Sequence, residues 1–593
     1  MIKLSDYLIT YLRDKRVREV FLITGGAVAH IVDSFRNVRG IRYICHQHEQ
    51  AAAMAAEAYS RLSGTIGVAM ATSGPGATNL ITGICCAWFD SIPVLYITGQ
   101  VNINEQKSSS AVRQVGFQET DIVSIVTPVT KFAAMVKKPE DIKYYLDKAF
   151  HYAYTGRPGP VLLDIPMNVQ RAEINQKKLR GYRPRGYSAD LDRGKILSNK
   201  INAAIRLMER AKRPIIIAGG GIRLAGAVDE LYKFLQKTGF PVVTSWSGFD
   251  AVPFRHPQHI GQFGVYGNRG ANFSVQNADL IISVGSRLDT RQTGGRPDTF
   301  AREAKCIMVD IDRAELKKRR GFTPDIEVAV DARVFITEVN KLLEVFRRPD
   351  IALWTKQTRI WKRRYPAVLP KYYKQRGSVN SYVFSKTLSD LTPRNAIIIP
   401  DDGGNLTWIM QSFEIKRGQR LFSAFGNSPM GYSFPAAIGA ALAVGPGHPV
   451  ISIIGDGSFQ INIQELQTLF FNKIPVKVFI LNNHSYGIIK QFQDSLFGGR
   501  YEASSPEKGY APPDFVAIAK AYKIKTVTIK NHSELPRKIK EVLRAKGPVV
   551  CDVLIHKDQK LIPKLEFGRP IEDLSPELPR DEFREQMVIK PIS

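Results

Sequence analysis

The segment from residue 453 to residue 483 contains two apolar runs joined by a stretch with helical spacing. This order is typical of two parallel β-strands, because parallel strands need a crossover connection between them. Gly455–Gly457 follows the first run, and Asn482–Asn483 ends the second. The carboxyl ends of parallel strands meet at one edge of a sheet, where ligands bind. We therefore expect Asp456 and Asn483 to lie close together at such an edge.

The same alternation of short apolar runs and helical stretches recurs along the chain, whose 593 residues are enough for about three domains. It predicts an α/β fold with three doubly wound parallel-sheet domains. Polar and basic stretches separate the blocks and are predicted linkers. The predicted units are an N-terminal domain (1–170), a linker (171–194), a central domain (195–345), a second linker (346–377), a third domain (378–558) and a C-terminal arm (559–593).

The formal net charge of +28 raises the question of nucleic acid binding. The basic residues are scattered, however, and no pattern interleaves them with aromatic residues, so we expect no nucleic acid partner. Attraction of anionic substrates and diphosphate cofactors accounts for the charge. No uncharged apolar run reaches the roughly 18 residues of a membrane span, and the N-terminus lacks a signal-peptide pattern. The five cysteines fit neither a disulfide frame nor a zinc pattern, which predicts a cytoplasmic protein.

The residue types after the two apolar runs fit a diphosphate held through a divalent cation. Backbone N–H groups of Gly457 and Ser458 at a helix start can bind phosphate oxygens. Mg²⁺ takes oxygen ligands from a carboxylate, an amide or carbonyl, and the phosphates, a requirement that Asp456 and Asn483 meet. A GDG tripeptide alone is more often a simple turn, but GDG followed by 24 residues and then Asn-Asn after a strand is specific.

With these residues, the chain resembles thiamine-diphosphate-dependent enzymes, and in particular the large, catalytic subunit of acetolactate synthase. The resemblance extends to about residue 558 and includes the following stretches: ITGG (23–26), HEQAA, SGPGATN (73–79), DSIPVLYITGQV (90–101), GFQET (116–120), GRPGPVLLDIP (156–166), NSPMGYSFPAAIGA and GDGSF. It implies that the three domains bind the thiamine pyrimidine, a flavin or other nucleotide, and the diphosphate with Mg²⁺.

The resemblance also implies roles for individual residues. Glu49 would be the acid on the pyrimidine ring nitrogen, although an acid near a helix N-terminus can also be purely structural. Gln118 would line the catalytic cavity. Asp456, Asn483 and the main-chain carbonyl of Ser485 would bind the metal. The cofactor would contact Gly26, Ser73, Asn79, Asn405, Gly455, Gly457, Ser458, Met430 (under the thiazolium ring) and the Ser428 carbonyl (at the 4'-amino group).

In the central block, Gly219–Gly221 follows a strand, and another strand ends at Asp310. A lone glycine run is weak evidence, but SVGSRLDTRQTGG (283–295) resembles the segment that carries an FAD-contacting arginine, here Arg291. The resemblance therefore implies FAD, bound by Gly220, Arg291 and Asp310. The alternative is a central domain that binds no cofactor or only an ADP group.

Departures from the family pattern concentrate where the second substrate should bind. Met167 replaces an expected lysine, Tyr266 a histidine, Phe492 a tryptophan, and Asp402 an uncharged residue. The leading hypothesis is decarboxylation of a 2-keto acid, with pyruvate as the expected donor, and joining of the acyl unit to a carbonyl acceptor. The alternatives are acyl transfer to a keto-sugar nucleotide in surface-polysaccharide biosynthesis, simple decarboxylation, and a non-catalytic flavin-binding or nucleotide-binding protein. The resemblance implies a homodimer or a dimer of dimers and leaves a regulatory subunit open.

Overall fold

The computed structural model describes residues 1–109, 111–184, 190–318 and 320–592. It contains three six-stranded sheets, and every strand pair within each of them is parallel. The predicted fold class is therefore confirmed. Within the described part of the chain, no helix is long and apolar enough to cross a membrane.

The N-terminal sheet has the strand order β3-β2-β4-β5-β7-β6, and β1 pairs with β8 in a separate antiparallel ribbon. Its strands are β1 (Ile2–Lys3), β2 (Glu19–Leu22), β3 (Arg42–Cys45), β4 (Gly67–Ala71), β5 (Val94–Gln100), β6 (Phe132–Met135), β7 (Val161–Pro166) and β8 (Glu173–Ile174). Its α-helices are α1 (Leu4–Asp14), α2 (Ala29–Asp33), α3 (Glu49–Ser63), α4 (Pro75–Asn79), α5 (Ile81–Asp90), α6 (Ile122–Val126), α7 (Ile142–Tyr154) and α8 (Met167–Gln170).

The central sheet has the order β11-β10-β9-β12-β13-β14, so the strand order reverses between β9 and β12. Its strands are β9 (Pro214–Ala218), β10 (Val242–Thr244), β11 (His259–Gln262), β12 (Leu280–Val284), β13 (Lys305–Asp310) and β14 (Ile326–Ala329). The helices are α9 (Gly194–Arg210), α10 (Gly220–Leu224), α11 (Val228–Thr238), α12 (Arg269–Gln276), α13 (Thr290–Thr293), α14 (Arg313–Lys317), α15 (Ala332–Leu342) and α16 (Ala352–Arg364).

The third sheet, β16-β15-β17-β18-β20-β19, repeats the strand order of the N-terminal one. Its strands are β15 (Ile397–Pro400), β16 (Arg420–Leu421), β17 (Val450–Gly455), β18 (Lys477–Asn482), β19 (Lys525–Ile529) and β20 (Val549–Leu554). The helices are α17 (Ser381–Leu391), α18 (Gly404–Ser412), α19 (Ser433–Val444), α20 (Asp456–Ile461), α21 (Leu466–Asn472), α22 (Gly487–Phe497), α23 (Phe515–Ala521), α24 (Leu535–Arg544) and α25 (Arg580–Gln586).

Small residues let the N-terminal and third domains pack closely. Helix α3 is rich in alanine, and a Cβ atom on Gly439 of α19 would lie only 1.9 Å from the Ala55 carbonyl oxygen. At the same contact, Arg61 bridges the carboxylates of Glu57 and Asp90. Asp90 in turn accepts hydrogen bonds from the backbone of Phe425 and Gly426 at 2.9 and 2.8 Å. The two domains are therefore joined by polar contacts as well as apolar ones.

Residues 346–377, expected to be a linker, include helix α16, which packs against the central domain. Trp361 is buried there, its ring lies 5.8 Å from that of Phe273, and its Nε1 donates to Gln586 of α25 at 2.9 Å. Helix α25 of the C-terminal arm is thus seated on α16. In the first expected linker, residues 185–189 lie outside the described residues.

Trp361→Ala is expected to destabilise the protein by about 3–5 kcal/mol, because truncating a buried tryptophan removes apolar contacts and leaves a cavity. Denaturant unfolding monitored by circular dichroism measures the effect. Leu353→Ala is the matched control, since Leu353 lies on the same helix with 84% of its surface exposed. Equal unfolding free energies for the two variants would mean that α16 contributes no packing energy.

Candidate active site

The third sheet places three polar segments at one edge. Asp401 and Asp402 follow β15, Asp456 follows β17, and Asn483 follows β18, and these strands are neighbours in the order β15-β17-β18. The strand order reverses at β15 and β17, which is where open α/β sheets bind ligands. The predicted positions of Asp456 and Asn483 at one sheet edge are confirmed.

Asp456 carries a buried carboxylate that the described residues satisfy only in part. Oδ1 accepts the Gly457 N–H at 2.8 Å, whereas Oδ2 is buried with no well-formed hydrogen bond in the described chain, although the Tyr510 hydroxyl and the backbone of His484 and Ser485 face the carboxylate. Burial raises the pKa of Asp456 to about 7. A divalent cation would satisfy the free oxygen and favour the charged form. Asn483 and Ser485 are also buried nearby in sequence, so the donor set fits Mg²⁺.

The glycine after Asp456 is required by a close contact. A Cβ atom on Gly457 would lie 2.3 Å from a ring carbon of Tyr486, and the Tyr486 ring centre lies 4.0 Å from that of Tyr510, with the two rings tilted by 35°. Burial, followed by the charge of Asp456, raises the pKa of Tyr510 well above its usual value. Tyr510 was missed in the sequence, because it lies in a loop far along the chain with no local pattern to mark it.

Asp401 and Asp402 hold the segment that contains Ser428 and Met430. Asp401 accepts the N–H groups of Gly431 and Ser433 at 2.9 and 2.6 Å, and Asp402 accepts the Ser428 hydroxyl at 2.5 Å. Burial raises the pKa of Asp401 to about 7. Sequence reasoning missed Asp401, although it also ends an apolar run, as Asp456 does.

Asn405 and Gly455 lie between these strand ends. Asn405 Nδ2 donates to the carbonyls of Asp401 at 2.8 Å and Ile453 at 3.2 Å. A Cβ atom on Gly455 would lie 3.3 Å from Asn405 Oδ1. Asn405 therefore joins β15 to β17, and Ser458 is buried in the first turn of α20, at the same edge.

The N-terminal sheet carries a second group of residues. Glu49 is the first residue of α3, is buried, and accepts a hydrogen bond from Asn79 Nδ2 at 2.9 Å. The segment from Ser73 to Asn79, which includes α4, packs on both Glu49 and Gln118, since a Cβ atom on Gly76 would lie 3.3 Å from Glu49 Oε1 and one on Gly74 2.8 Å from Gln118 Cβ. The structure thus brings Glu49, Asn79 and Gln118 to one loop.

Gly26 belongs to the neighbouring loop after β2. The next residue, Ala27, donates its N–H to Thr72 Oγ1 at 3.2 Å, immediately before Ser73. A Cβ atom on Gly26 would meet no atom within 4 Å, so open space lies beside this backbone. The loop is therefore joined to the Ser73–Asn79 loop and leaves room for a ligand.

Three residues of these loops adopt left-handed backbone conformations that side chains disfavour. Their φ angles are 63° at Gln118, 52° at Ser428 and 53° at His484, which lies between Asn483 and Ser485. Each of these left-handed conformations costs roughly 1–2 kcal/mol of conformational free energy. Such strain tends to concentrate at functional sites, where surrounding contacts hold it in place.

The two groups have no direct polar contact within the described chain, although Gln47, two residues before Glu49, donates its backbone N–H to Glu465 at 2.9 Å. Among the described residues, no hydrogen bond or ion pair joins Glu49, Asn79 or Gln118 to Asp456 or Asn483. Phe117, beside Gln118, has 84% of its surface exposed, and Phe471 in the third domain has 75%. Exposed apolar side chains mark a protein–protein interface where they form a contiguous patch.

The central sheet has a cavity of about 330 Å³ at the point where its strand order reverses. Gly220 and Asp310 line it, and the glycines permit a close approach, since a Cβ atom on Gly219 would lie 2.1 Å from the Gly285 carbonyl oxygen. Burial raises the pKa of Asp310 to about 6. A glycine turn after β9 and an acid at the end of β13, two strands away in the sheet, lie beside the point where the strand order reverses, which is where open α/β sheets bind ligands.

Arg291 lies beside this nucleotide cavity, on a second cavity of about 280 Å³. Its guanidinium lies 5.0 Å from the ring centre of Trp246 and 6.0 Å from that of Tyr266. Trp246 and Phe425, whose rings are 6.2 Å apart, line the same cavity. Flat aromatic walls of this kind fit a flavin ring.

A third cavity, of about 310 Å³, lies between the central domain, α22 and the C-terminal arm. Two of the residues that depart from the family pattern, Tyr266 and Phe492, line it together with Arg291. The Phe492 ring lies 6.4 Å from that of Phe567 on the arm. Met167 starts α8 and is not among the described residues that line this cavity.

Three family models match consecutive parts of the chain. They describe the N-terminal TPP binding domain, the central domain and the C-terminal TPP binding domain of thiamine pyrophosphate enzymes, and they match residues 2–125, 201–339 and 401–553. The chain therefore belongs to the thiamine pyrophosphate enzymes.

Comparison with curated relatives identifies the family of this chain within the thiamine pyrophosphate enzymes. The chain is 36% identical over 569 residues to an acetolactate synthase large subunit of Parasynechococcus marenigrum, covering 95% of this chain and 89% of the relative. It is 34% identical over 567 residues to that of Lactococcus lactis (95% and 94%), and 34% identical over 580 residues to acetolactate synthase 2, chloroplastic, of Zea mays (96% and 88%). The chain belongs to the acetolactate synthase family.

Proposed function

We propose that this protein catalyses the acetolactate synthase reaction. A first pyruvate loses CO₂, and the two-carbon unit that remains forms a carbon–carbon bond with the carbonyl carbon of a second 2-keto acid. The observation that carries the proposal is the buried, partly unsatisfied Asp456 carboxylate at the edge it shares with Asn483, in a chain of this family. Mass spectrometry of the products from isotope-labelled pyruvate tests it, and acetaldehyde as the only product would indicate simple decarboxylation instead.

The third domain would hold Mg²⁺ and the diphosphate of thiamine diphosphate. Asp456, the Asn483 side chain and the Ser485 carbonyl supply oxygen ligands of the kind that Mg²⁺ prefers. Backbone N–H groups of Gly457 and Ser458 at the start of α20 supply hydrogen bonds to phosphate oxygens. Further contacts to the cofactor are proposed for Asn405, Gly455, Ser428 and Met430.

The N-terminal domain would bind the pyrimidine ring. When bound, the thiamine group supplies the electron sink for the electron pair left by departing CO₂. Glu49 holds a proton at the ring nitrogen in a site shielded from water, and Asn79 fixes the orientation of its carboxyl group. Gly26, Ser73 and Gln118 form the surrounding wall.

We propose that the site forms between two copies of the chain, in a homodimer or a dimer of dimers. The support is that, among the described residues, no hydrogen bond or ion pair joins the Glu49 group directly to the Asp456 group, and that Phe117 and Phe471 are exposed. The chain's five cysteines are free, which supports a reducing, cytoplasmic location. FAD is proposed for the two cavities of the central domain, with contacts from Gly220, Asp310 and Arg291.

A second candidate function, acyl transfer to a larger carbonyl acceptor such as a keto-sugar nucleotide, is favoured by the 310 Å³ cavity. That cavity has aromatic walls and is far larger than a second pyruvate requires. The missing lysine at Met167 also removes a cation that could pair with an acceptor carboxylate, an interaction worth about 1.5–3 kcal/mol.

We therefore expect a higher kcat/KM with a keto-sugar nucleotide or an uncharged ketone than with a second pyruvate. The comparison uses the same labelled pyruvate donor with each acceptor. Phe492→Trp, which restores the residue typical of the family, should shift the preference toward pyruvate. Efficient self-condensation of pyruvate, without any preference for the larger acceptors, would contradict this second function.

A further inference from the structure

The two aspartates after β15 contact the chain on both sides of Met430. Asp402 accepts the hydroxyl of Ser428 at 2.5 Å, two residues before the methionine. Asp401 accepts the backbone N–H groups of Gly431 at 2.9 Å and Ser433 at 2.6 Å, just after it. Neither carboxylate belongs to the proposed metal site. We call Asp401 and Asp402 the aspartate clamp.

The backbone at this clamp is unusual on both sides of Met430. Ser428 has a φ of 52°, and Gly431 has a φ of 85°. A Cβ atom on Gly431 would also lie 2.8 Å from Ile461 Cβ of α20, so only glycine fits there. A serine needs compensation for its left-handed conformation, and a short hydrogen bond to a carboxylate supplies it.

Asp402 is the less expected member of the clamp. The resemblance described above implies an uncharged residue at this position, and a carboxylate at an edge that binds a diphosphate brings two like charges near each other. Its hydrogen bond to Ser428 is the only one that the described chain gives its side chain. The contact with Ser428 is therefore what accounts for an acid at this position.

We propose that the aspartate clamp positions the Ser428 carbonyl and the Met430 side chain for the bound coenzyme. The inference rests on the proposed function and adds two positioning residues to it. Asp402 acts through Ser428 by holding its left-handed backbone, and Asp401 acts through Gly431 and Ser433 by fixing the start of α19.

The test uses D402N, S428A, S428G and the double variants D402N/S428A and D402N/S428G. The dissociation constant of thiamine diphosphate in the presence of Mg²⁺ is measured by quenching of intrinsic fluorescence, and kcat and KM are measured with pyruvate. We expect D402N and S428A each to weaken coenzyme binding by about tenfold and to lower kcat with little change in KM. The D402N/S428A variant should be no worse than S428A alone, because D402N weakens, through loss of the acceptor's charge, the same hydrogen bond that S428A removes.

S428G distinguishes positioning from general packing. Glycine adopts the left-handed conformation without strain, so S428G should bind the coenzyme more tightly than S428A. The D402N/S428G variant should then bind the coenzyme about as tightly as S428G. Asp390→Asn is the control, because Asp390 is a half-exposed acid of the same domain that pairs with Lys386.

If the effects of D402N and S428A on coenzyme affinity multiply in the double variant, the proposed positioning role of the aspartate clamp is wrong. The same holds if D402N binds the coenzyme as tightly as wild type. A D402N variant that unfolds without coenzyme would overturn it too, because Asp402 would then be a stability residue. D456A serves as the reference for the function itself. If D456A still bound the coenzyme normally, the proposed function would be wrong. If D456A lost coenzyme binding while D402N behaved like wild type, only the proposed role of the aspartate clamp would be wrong.

Discussion

Glu49→Gln is expected to lower turnover by about 10²–10⁴-fold while the protein stays folded. Glutamine keeps the size of the side chain, and its carbonyl can still accept from Asn79, but it has no acidic proton to hold at the pyrimidine nitrogen. Because the substitution affects the chemical step and not cofactor binding, kcat should fall much more than the affinity for the cofactor. Steady-state assays with saturating thiamine diphosphate and Mg²⁺ measure it.

Glu140→Gln is the control for this change, since Glu140 is an exposed acid of the same domain. It should behave like wild type in both kcat and thermal stability. If Glu49→Gln retained activity within about tenfold of wild type, only about 1.4 kcal/mol of barrier would depend on the acid. Glu49 would then be a structural acid at the start of α3.

Asp456→Ala is expected to abolish Mg²⁺-dependent binding of thiamine diphosphate. The methyl group removes the only carboxylate proposed for the metal, and the cation then lacks its main protein charge. Wild type at a ligand concentration 100 times the dissociation constant gains about 2.7 kcal/mol of stability, which appears as a rise in melting temperature. For the variant, that rise should vanish, whereas Asp390→Asn should keep it.

Combining the two inactive variants in one dimer tests whether the active site is shared between chains. If each active site takes Glu49 from one chain and Asp456 from another, a mixed dimer of the two variants contains one intact site. Mixing Glu49→Gln and Asp456→Ala under conditions that allow chain exchange should then restore activity. Complete failure of this rescue, with exchange demonstrated, would contradict a site shared between chains.

Much of the site could be predicted because its residues follow strands. An apolar run fixes where a parallel strand ends, and the sheet brings successive ends to one edge, so Asp456 and Asn483 could be placed together without coordinates. Asp401 ends a similar run, IIIP, and the same reasoning could have found it. Tyr510 could not be found in this way, because its position depends on how a long loop folds back over the edge.

The packing of helix α16 could not be predicted from the sequence in the same way. Its two buried tryptophans, Trp354 and Trp361, are seven residues apart and mark one helical face. The many charges around them suggested a linker, because composition averages over both faces of a helix. Burial of Trp361 also depends on α25, more than 200 residues later, and no local pattern reports such a partner.

The cavity proposed for the acceptor is lined by the central domain, α22 and the C-terminal arm, whereas Glu49 and Asp456 stand at the ends of sheet strands. This separation has an evolutionary consequence. Substitutions in the arm and α22 can change the cavity walls without touching Glu49 or Asp456. With the proposed roles, a change of acceptor would need substitutions in those walls alone, and the residues proposed for the decarboxylation step could stay the same.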